Sequence, residues 1–375
     1  MKKLLVKAGS SCLRLAYHFC RLFPVQNRIV CISRQSDEAP LDFQLIANYC
    51  CARTPPITAI LLPKQLRSPV TYLPEMLRQV YYIATSKAVV LDSYCIVVSL
   101  LGSSIEAPVV QIWHALGNMK KAGYTALSDS SEEGRDPRLA NLLHMHEGYN
   151  AIAISSLSFS RDFAAVFNAD PSIIFEAPLP RADLLTSADG RSRARKMFFD
   201  NHPDLKGKQV IVYCPTFRRS PSPDANRAIK ALVGEIDYSR YALIYKPHPV
   251  DTLTIEDSRL TVLVNHDPDP LFVADYVVSD YSTVIYEAGL LNIPVFLYAY
   301  DWDSYREKRG LNIDLEHDVP TLFTQDPRLI VEAIENNDFD ANAYKAFTQR
   351  NVALPAQGTC TEHLCEHILA LAENR

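Results

Sequence analysis

From residue 28 onward, the chain alternates short apolar segments with longer mixed ones. The apolar segments are continuous runs of Val, Ile, Leu and Tyr rather than strict alternations, which is typical of strands buried on both faces of a parallel sheet. Strands separated by helix-length segments predict doubly wound α/β sheets. The predicted strands span residues 28–32, 57–62, 88–91, 109–113, 151–155, 209–214, 241–245, 260–264, 276–279 and 295–298.

A charged, Arg-rich stretch at residues 181–208 interrupts this rhythm and is the predicted domain boundary. A chain of 375 residues is longer than one typical domain. We therefore predict two doubly wound α/β domains, over residues 24–180 and 181–375. The last helix of the chain is a candidate to pack back on the first domain.

The first 23 residues predict a helix with one polar, mostly basic stripe and one apolar side. Two interpretations fit this pattern. The preferred one is a helix that lies in the interface of an anionic membrane, and the other is a helix packed on the protein itself. No apolar run there is long enough to span a bilayer. The residues predicted to bind the membrane are Lys2, Lys3, Lys7, Arg14 and Arg21.

Composition limits the partners and the compartment. The net charge is −5, but the first 36 residues hold seven basic residues and no acidic one, which leaves −12 on the rest. A basic arm on an acidic body points to an anionic surface, either membrane or nucleic acid. Because the nine cysteines are scattered and form no CxxC pair, we expect reduced thiols in the cytosol rather than disulfides or a zinc ribbon.

His114 directly follows a predicted strand, within the sequence QIWHALGNMKKAGY at residues 111–124. Ligands of open α/β sheets bind at the carboxyl ends of strands. A histidine at that position can act as a general base, because its pKa lies near working pH. The competing interpretation is a core histidine beside Trp113.

Two strand ends in the second half carry basic side chains. Lys246 and His248 follow the strand at 241–245, in a loop that two prolines make rigid. Arg218 follows the strand at 209–214, and its guanidinium matches phosphate oxygens. With one histidine after a strand in each half, we expect a cleft between two domains that both contribute chemistry.

A predicted helix begins directly after the strand at 276–279. Its polar first residues either cap free backbone N–H groups or leave them open to hold a phosphate. The residues at this start are Ser279, Asp280, Ser282 and Thr283.

Common cofactor and metal motifs are missing from the sequence. No GxGxxG or Walker sequence occurs. The carboxylate pairs at 267/269 and 301/303 resemble pairs that bind divalent metals, but such spacings are common by chance. We predict no metal and no cofactor.

Taken together, these motifs resemble the CDP-glycerol glycerophosphotransferase family of wall teichoic acid and capsule synthesis. The resemblance rests on QIWHALGNMKKAGY, LPRAD at 179–183, YCPTFR at 213–218, YKPHP at 245–249 and the long block at 275–310, in the same order and spacing. It covers roughly residues 20–350.

The resemblance implies two Rossmann-like domains in a glycosyltransferase-B arrangement. It implies transfer of a polyol phosphate, with glycerol phosphate expected, from a CDP-polyol to a hydroxyl of a lipid-linked, undecaprenyl-type acceptor, with release of CMP. It also implies peripheral, monotopic attachment at the cytoplasmic face of the plasma membrane, through the N-terminal helix. No nucleic acid partner is expected.

The resemblance also implies residue roles. His114 occupies the position of the base, His248 that of the donor-phosphate ligand, and Arg309 that of the arginine that neutralises the pyrophosphate. The helix start at 279–283 lies at the donor. The chain departs from the family pattern at Ala115, at residues 311–314 and at residues 319–321. Alternatives are therefore a CDP-ribitol transferase, a nucleotide-sugar glycosyltransferase of the same fold, and a non-enzymatic partner of a synthase complex.

Overall fold

A computed structural model describes most of the chain. The described residues are 2–35, 37–64, 69–127, 136–216, 218, 223–247, 257–264, 267–308 and 310–373; for residues 2–5, 69–71, 223–224 and 308 only the backbone is described. These residues divide into two compact units. The first holds residues 1–117, 121–183 and 352–375, and the second holds residues 118–120 and 184–351.

The first unit is a parallel six-stranded sheet with helices between its strands. Its strands are β1 Arg28–Ile32, β2 Thr58–Leu62, β3 Ala88–Leu91, β4 Val109–Gln111, β5 Ala151–Ile154 and β6 Ile174–Glu176. Its helices are α1 Lys2–Cys20, α2 Leu41–Ala52, α3 Pro69–Thr85, α4 Ile96–Leu101, α5 Pro137–Leu142 and α6 Ser160–Phe167. The helix α7, Arg181–Leu185, leads into the second unit.

The second unit is also a parallel six-stranded sheet. Its strands are β7 Gln209–Cys214, β8 Tyr241–Tyr245, β9 Leu260–Thr261, β10 Tyr276–Ser279, β11 Val295–Tyr298 and β12 Phe323–Thr324. Its helices are α8 Ala188–Asn201, α9 Pro223–Glu235, α10 Val284–Leu290, α11 Trp302–Lys308, α12 Pro327–Glu335 and α13 Ala341–Asn351. The final helix, α14 Cys360–Ala372, belongs to the first unit.

Strand order places one topological switch point in each sheet. The first sheet runs β2-β1-β3-β4-β5-β6, so the order reverses between β1 and β3. The second runs β12-β11-β10-β7-β8-β9, so it reverses between β7 and β10. The crevice outside the carboxyl ends of the strands at such a point is where open α/β sheets bind ligands.

The prediction of two doubly wound parallel sheets is confirmed. The central strands β1, β3, β7, β8, β10 and β11 have the predicted bounds, and β2, β4, β5 and β9 are shorter than predicted. The sequence prediction missed β6 and β12, which have only three and two residues. Such short strands carry too few residues for a periodicity to be read.

The helix α1 packs on the first unit rather than standing apart from it. Leu13 and Tyr17 are 5% and 0% exposed and lie in the same apolar cluster as residues of β3 and α4. The Tyr17 hydroxyl accepts a hydrogen bond from the backbone N–H of Glu106, at 3.0 Å. One face of α1 is therefore packed on the protein itself, as the second of the two interpretations predicts.

Among the described residues, none of the helices is both long enough and apolar enough to cross a membrane.

Candidate functional site

In the first unit, polar side chains gather where β1, β3 and β4 end, at and beside the switch point. Ser33 follows β1, Asp92 follows β3, and His114 lies three residues after the end of β4. The three strands are parallel and adjacent, so their carboxyl ends meet at one edge of the sheet.

Asp92 connects the loops at this switch point. Its carboxylate accepts hydrogen bonds from the hydroxyls of Ser33, at 2.5 Å, and Ser93, at 2.7 Å. Asp92 is only 3% exposed. Burial raises the pKa of the Asp92 carboxyl, and the two serine hydrogen bonds only partly offset that effect.

His114 is oriented by the backbone of the same loop. Its Nδ1 lies 3.1 Å from the carbonyl oxygen of Asp92. A carbonyl oxygen can only accept, so Nδ1 carries the proton and the neutral ring has its lone pair on Nε2. The imidazole is half-buried and contacts the indole ring of Trp113, with 4.2 Å between the ring centroids. This tautomer is the one that a general base acting through Nε2 requires.

In the second unit, Asp280 plays the corresponding part between β7 and β10. It is 0% exposed, and its Oδ1 accepts the backbone N–H groups of Thr216, at 2.8 Å, and Tyr281, at 2.6 Å. Its Oδ2 lies 2.9 Å from Nη2 of Arg218. The carboxylate therefore ties the loop after β7 to the loop after β10.

The guanidinium of Arg218 is surrounded by carboxylates and aromatic rings. Its Nε and Nη2 donate to both oxygens of Asp301, each at 2.8 Å, and its Nη1 donates to the Thr216 carbonyl at 2.7 Å. The side chain is 14% exposed. Burial by itself would lower the pKa of the guanidinium, but Asp280 and Asp301 outweigh it and the pKa is raised. The guanidinium also lies over the rings of Tyr281, Tyr300 and Tyr305.

The remaining predicted donor residues of the second unit lie at the ends of β8 and β10 or directly before α10. The Ser279 hydroxyl is buried and donates to the Cys214 carbonyl at 2.8 Å. Ser282 and Thr283 are half-buried and directly precede α10. Lys246 follows β8 and binds both carboxylate oxygens of Asp269, at 2.6 and 2.7 Å.

Two predicted site residues, His248 and Arg309, lie outside the described residues. Their roles stay predictions from the sequence. In the part of the chain that the structure describes, no group of three His, Cys, Asp or Glu side chains is arranged to hold a metal ion.

The basic residues predicted to bind a membrane divide by location. The side chains of Lys2 and Lys3 lie outside the described residues, and Lys7 is exposed. The Nε of Arg14 lies 3.4 Å from the Leu100 carbonyl, and Arg21 forms an ion pair with Glu106. Arg14 and Arg21 therefore help to hold α1 on its own unit.

Sequence reasoning missed two carboxylates at these edges. Asp92 stands directly after the predicted strand at 88–91. Because ligands of open α/β sheets bind at the carboxyl ends of strands, Asp92 could have been predicted in the same way as His114. Asp301 was considered only as half of a possible metal-binding pair. Its actual partners are Arg218 and the hydroxyl of Tyr281, at 3.1 Å, and no spacing in the sequence indicates that pairing.

Comparisons with known proteins indicate the family of this chain. Residues 15–370 match the model of CDP-Glycerol:Poly(glycerophosphate) glycerophosphotransferase. The chain is 25% identical over 362 residues to the teichoic acid ribitol-phosphate primase of Bacillus spizizenii, covering 92% of each chain. It is 24% identical over 356 residues to the teichoic acid poly(ribitol-phosphate) polymerase of the same organism, covering 91% of this chain but only 56% of the polymerase.

The fold has a solved counterpart as well. A structure of the wall teichoic acid polymerase TagF superimposes with a TM-score of 0.75, covering 100% of this chain and 98% of that one at 16% identity. At that identity the likeness shows the fold alone. The family model, in contrast, covers nearly the whole chain. The chain therefore belongs to the CDP-glycerol:poly(glycerophosphate) glycerophosphotransferase family.

Proposed function

We propose that this protein transfers a polyol phosphate from a CDP-polyol to a hydroxyl of a lipid-linked acceptor, in the synthesis of teichoic acid or a capsule-like polymer. Glycerol phosphate is the proposed unit, and CMP is the proposed leaving group. Membership of the family supports the reaction class. The family's name refers to glycerophosphate, whereas the names of the primase and the polymerase described above refer to ribitol phosphate, so a CDP-ribitol donor is the nearest alternative.

The observation that carries the proposal is the fixed tautomer of His114. Because the Asp92 carbonyl takes the Nδ1 proton, Nε2 has the lone pair that a base needs. The ring stands at the carboxyl edge of a parallel sheet, beside its switch point, where substrates of such folds bind.

In the proposed reaction, the acceptor hydroxyl attacks the β-phosphorus of the CDP-polyol while Nε2 of His114 takes the hydroxyl proton. A new oxygen–phosphorus bond forms, the bond between the β-phosphorus and the bridging oxygen breaks, and CMP leaves with the bonding electrons. General-base help contributes about 10²–10⁴-fold in rate. Charge neutralisation and positioning supply the larger share in phosphoryl transfer.

We assign the donor to the carboxyl edge of the second sheet. The hydroxyls of Ser282 and Thr283 stand at its switch point. His248, Arg309 and Lys246 are the proposed cations for the pyrophosphate. Arg218 and Asp280 pair with each other, and Arg218 also binds Asp301. We therefore propose that Arg218 and Asp280 act on the donor indirectly, by holding the loops that they connect.

Attachment to the membrane is proposed through apolar rather than basic residues of α1 and of the turn that follows it. Leu15, Phe19 and Leu22 are 70%, 64% and 79% exposed. Leu73 and Leu77 of α3, which packs on α1, are 60% and 47% exposed. Exposed apolar side chains on surface helices are favourable in the interface of a bilayer, and the exposed Lys7 adds attraction to anionic lipids. The proposed location is the cytoplasmic face of the plasma membrane, which is the one that the resemblance implies.

A donor panel tests the proposed reaction. Purified protein is incubated with a synthetic lipid acceptor and CDP-glycerol, CDP-ribitol, a UDP-sugar or a GDP-sugar, and the released nucleotide is identified. We expect CMP from a CDP-polyol, with CDP-glycerol the faster donor. Release of UDP or GDP with transfer of a sugar would instead make the protein a glycosyltransferase.

A further inference from the structure

The last residue of β4, Gln111, is a buried amide with all of its hydrogen-bonding groups engaged. It is 0% exposed. Its Oε1 accepts the backbone N–H of Trp113 at 2.9 Å. Its Nε2 donates to the Ser93 carbonyl at 3.2 Å and to the Tyr149 hydroxyl at 3.3 Å. A buried amide satisfied in this way has a single preferred orientation.

The residue that this amide holds has an unusual backbone. Trp113 has a φ of +61°, in the left-handed region that bulky residues rarely adopt. Such a conformation persists only where the surroundings fix it, and it is common next to functional groups. Two features fix it here, namely the bond to the Gln111 side chain and the packing of the indole on the rings of Phe163 and Phe167.

The same amide also reaches the loop that orients the imidazole. His114 is bonded to the carbonyl of Asp92, and the next carbonyl along the chain, that of Ser93, accepts from Gln111. One side chain therefore sets both the turn that delivers the ring and the loop that holds its Nδ1.

We propose that Gln111 is a positioning residue for this reaction, which fixes the direction of the His114 ring through the Trp113 turn and the Ser93 loop. The inference rests on the proposed role of His114 as base. Displacing a reacting group by about 1 Å costs on the order of 10²-fold in rate, so loss of this amide is expected to lower turnover strongly.

The test uses Gln111→Met, which keeps most of the volume but removes the amide. Gln79→Met is the matched control, because Gln79 is also a buried amide of the first unit, 9% exposed and bonded to Glu75 on its own helix. Both substitutions are also made in a His114→Ala background. Turnover of the CDP-polyol, its KM and the thermal midpoint are measured for the full-length protein.

We expect Gln111→Met to lower kcat by about 10²-fold with an unchanged donor KM, while Gln79→Met keeps wild-type turnover. In the His114→Ala background, Gln111→Met should have little further effect, because residues that act as one unit are not additive. Gln111→Glu keeps an oxygen that can accept the Trp113 N–H and should recover part of the loss.

Three outcomes would overturn the inference. Equal turnover of the two methionine variants would show that the amide is unimportant. An equal loss with and without His114 would show a general structural effect, and the base assignment would survive. Full turnover of His114→Ala alone would remove both the base assignment and the inference built on it. If Gln111→Met fails to fold, Gln111→Glu in the same two backgrounds decides between these results.

Discussion

Two buried carboxylates, Asp92 and Asp280, hold the loops at the switch points of the two sheets. Each accepts from a group on the neighbouring strand's loop, a serine hydroxyl in the first unit and a backbone N–H in the second. Buried carboxylates are costly unless hydrogen-bonded, so these bonds stabilise particular loop conformations. The loops in turn present His114 and the Ser282–Thr283 segment.

The first prediction concerns the proposed base. His114→Ala should lower kcat by about 10²–10⁴-fold with little change in donor affinity, because it removes only proton transfer. His144→Ala is the control, since His144 is an exposed histidine of the same unit that pairs with Glu147. Steady-state CMP release measures both. Near-wild-type turnover of His114→Ala would exclude it as the base.

The second prediction concerns the buried guanidinium. Arg218→Met would leave Asp280 and Asp301 without their cation, and breaking a buried pair in this way costs about 3–5 kcal/mol of unfolding free energy. Arg240→Met removes an exposed pair with Glu335 and should cost about 0–1 kcal/mol.

Urea unfolding followed by circular dichroism compares the two arginine variants. Similar losses would mean that the Arg218 cluster contributes no more to stability than a surface ion pair.

At the scale of elements, the LPRAD motif of residues 179–183 has a structural role. Arg181 pairs with the buried Asp42 at the start of α2. Asp183 accepts the backbone N–H groups of Cys360, at 2.7 Å, and Thr361, at 3.0 Å, which are the first residues of α14. The motif thus joins α2 and the final helix within the first unit.

Removing this cap gives a third prediction. Asp183→Ala should lower the unfolding free energy by about 1–2 kcal/mol, because two N–H groups at the start of α14 lose their acceptor. Hydrogen exchange should rise selectively in α14. Asp189→Ala, at an exposed first-turn position of α8, should change stability by less than about 0.5 kcal/mol. Unchanged exchange in α14 would contradict the capping role.

Sequence reasoning succeeded where a signal was local and failed where it depended on three-dimensional partners. The central strands were predictable because long Val- and Ile-rich runs are characteristic of buried parallel strands. The shortening of β4 was not, because the bond from the Gln111 side chain to Trp113 turns the chain out of the sheet two residues early. Likewise, the ion pairs of Arg218 with Asp280 and Asp301 were not predictable, because both carboxylates lie far from Arg218 in sequence.

At the scale of the whole molecule, membrane attachment is tested with substitutions of exposed residues, which should change binding without affecting folding. Replacing Leu15, Phe19 and Leu22 by Gln should release the protein from anionic vesicles, because these side chains are exposed and carry little packing. Replacing the exposed Leu139 and Leu157 of the same unit should leave binding unchanged. Vesicle flotation measures binding, and equal binding of both variants would show that α1 does not dock the protein.

The central claim is the transfer of a polyol phosphate with His114 as base. Its most direct test is the intact mass of a synthetic lipid acceptor after incubation with CDP-glycerol and either the wild-type protein or the His114→Ala variant. With the wild type we predict an acceptor enlarged by whole glycerol-phosphate units, and with the variant almost no enlarged acceptor in the same time. An unchanged acceptor mass with the wild type and every CDP-polyol, or equal product from both proteins, would contradict it.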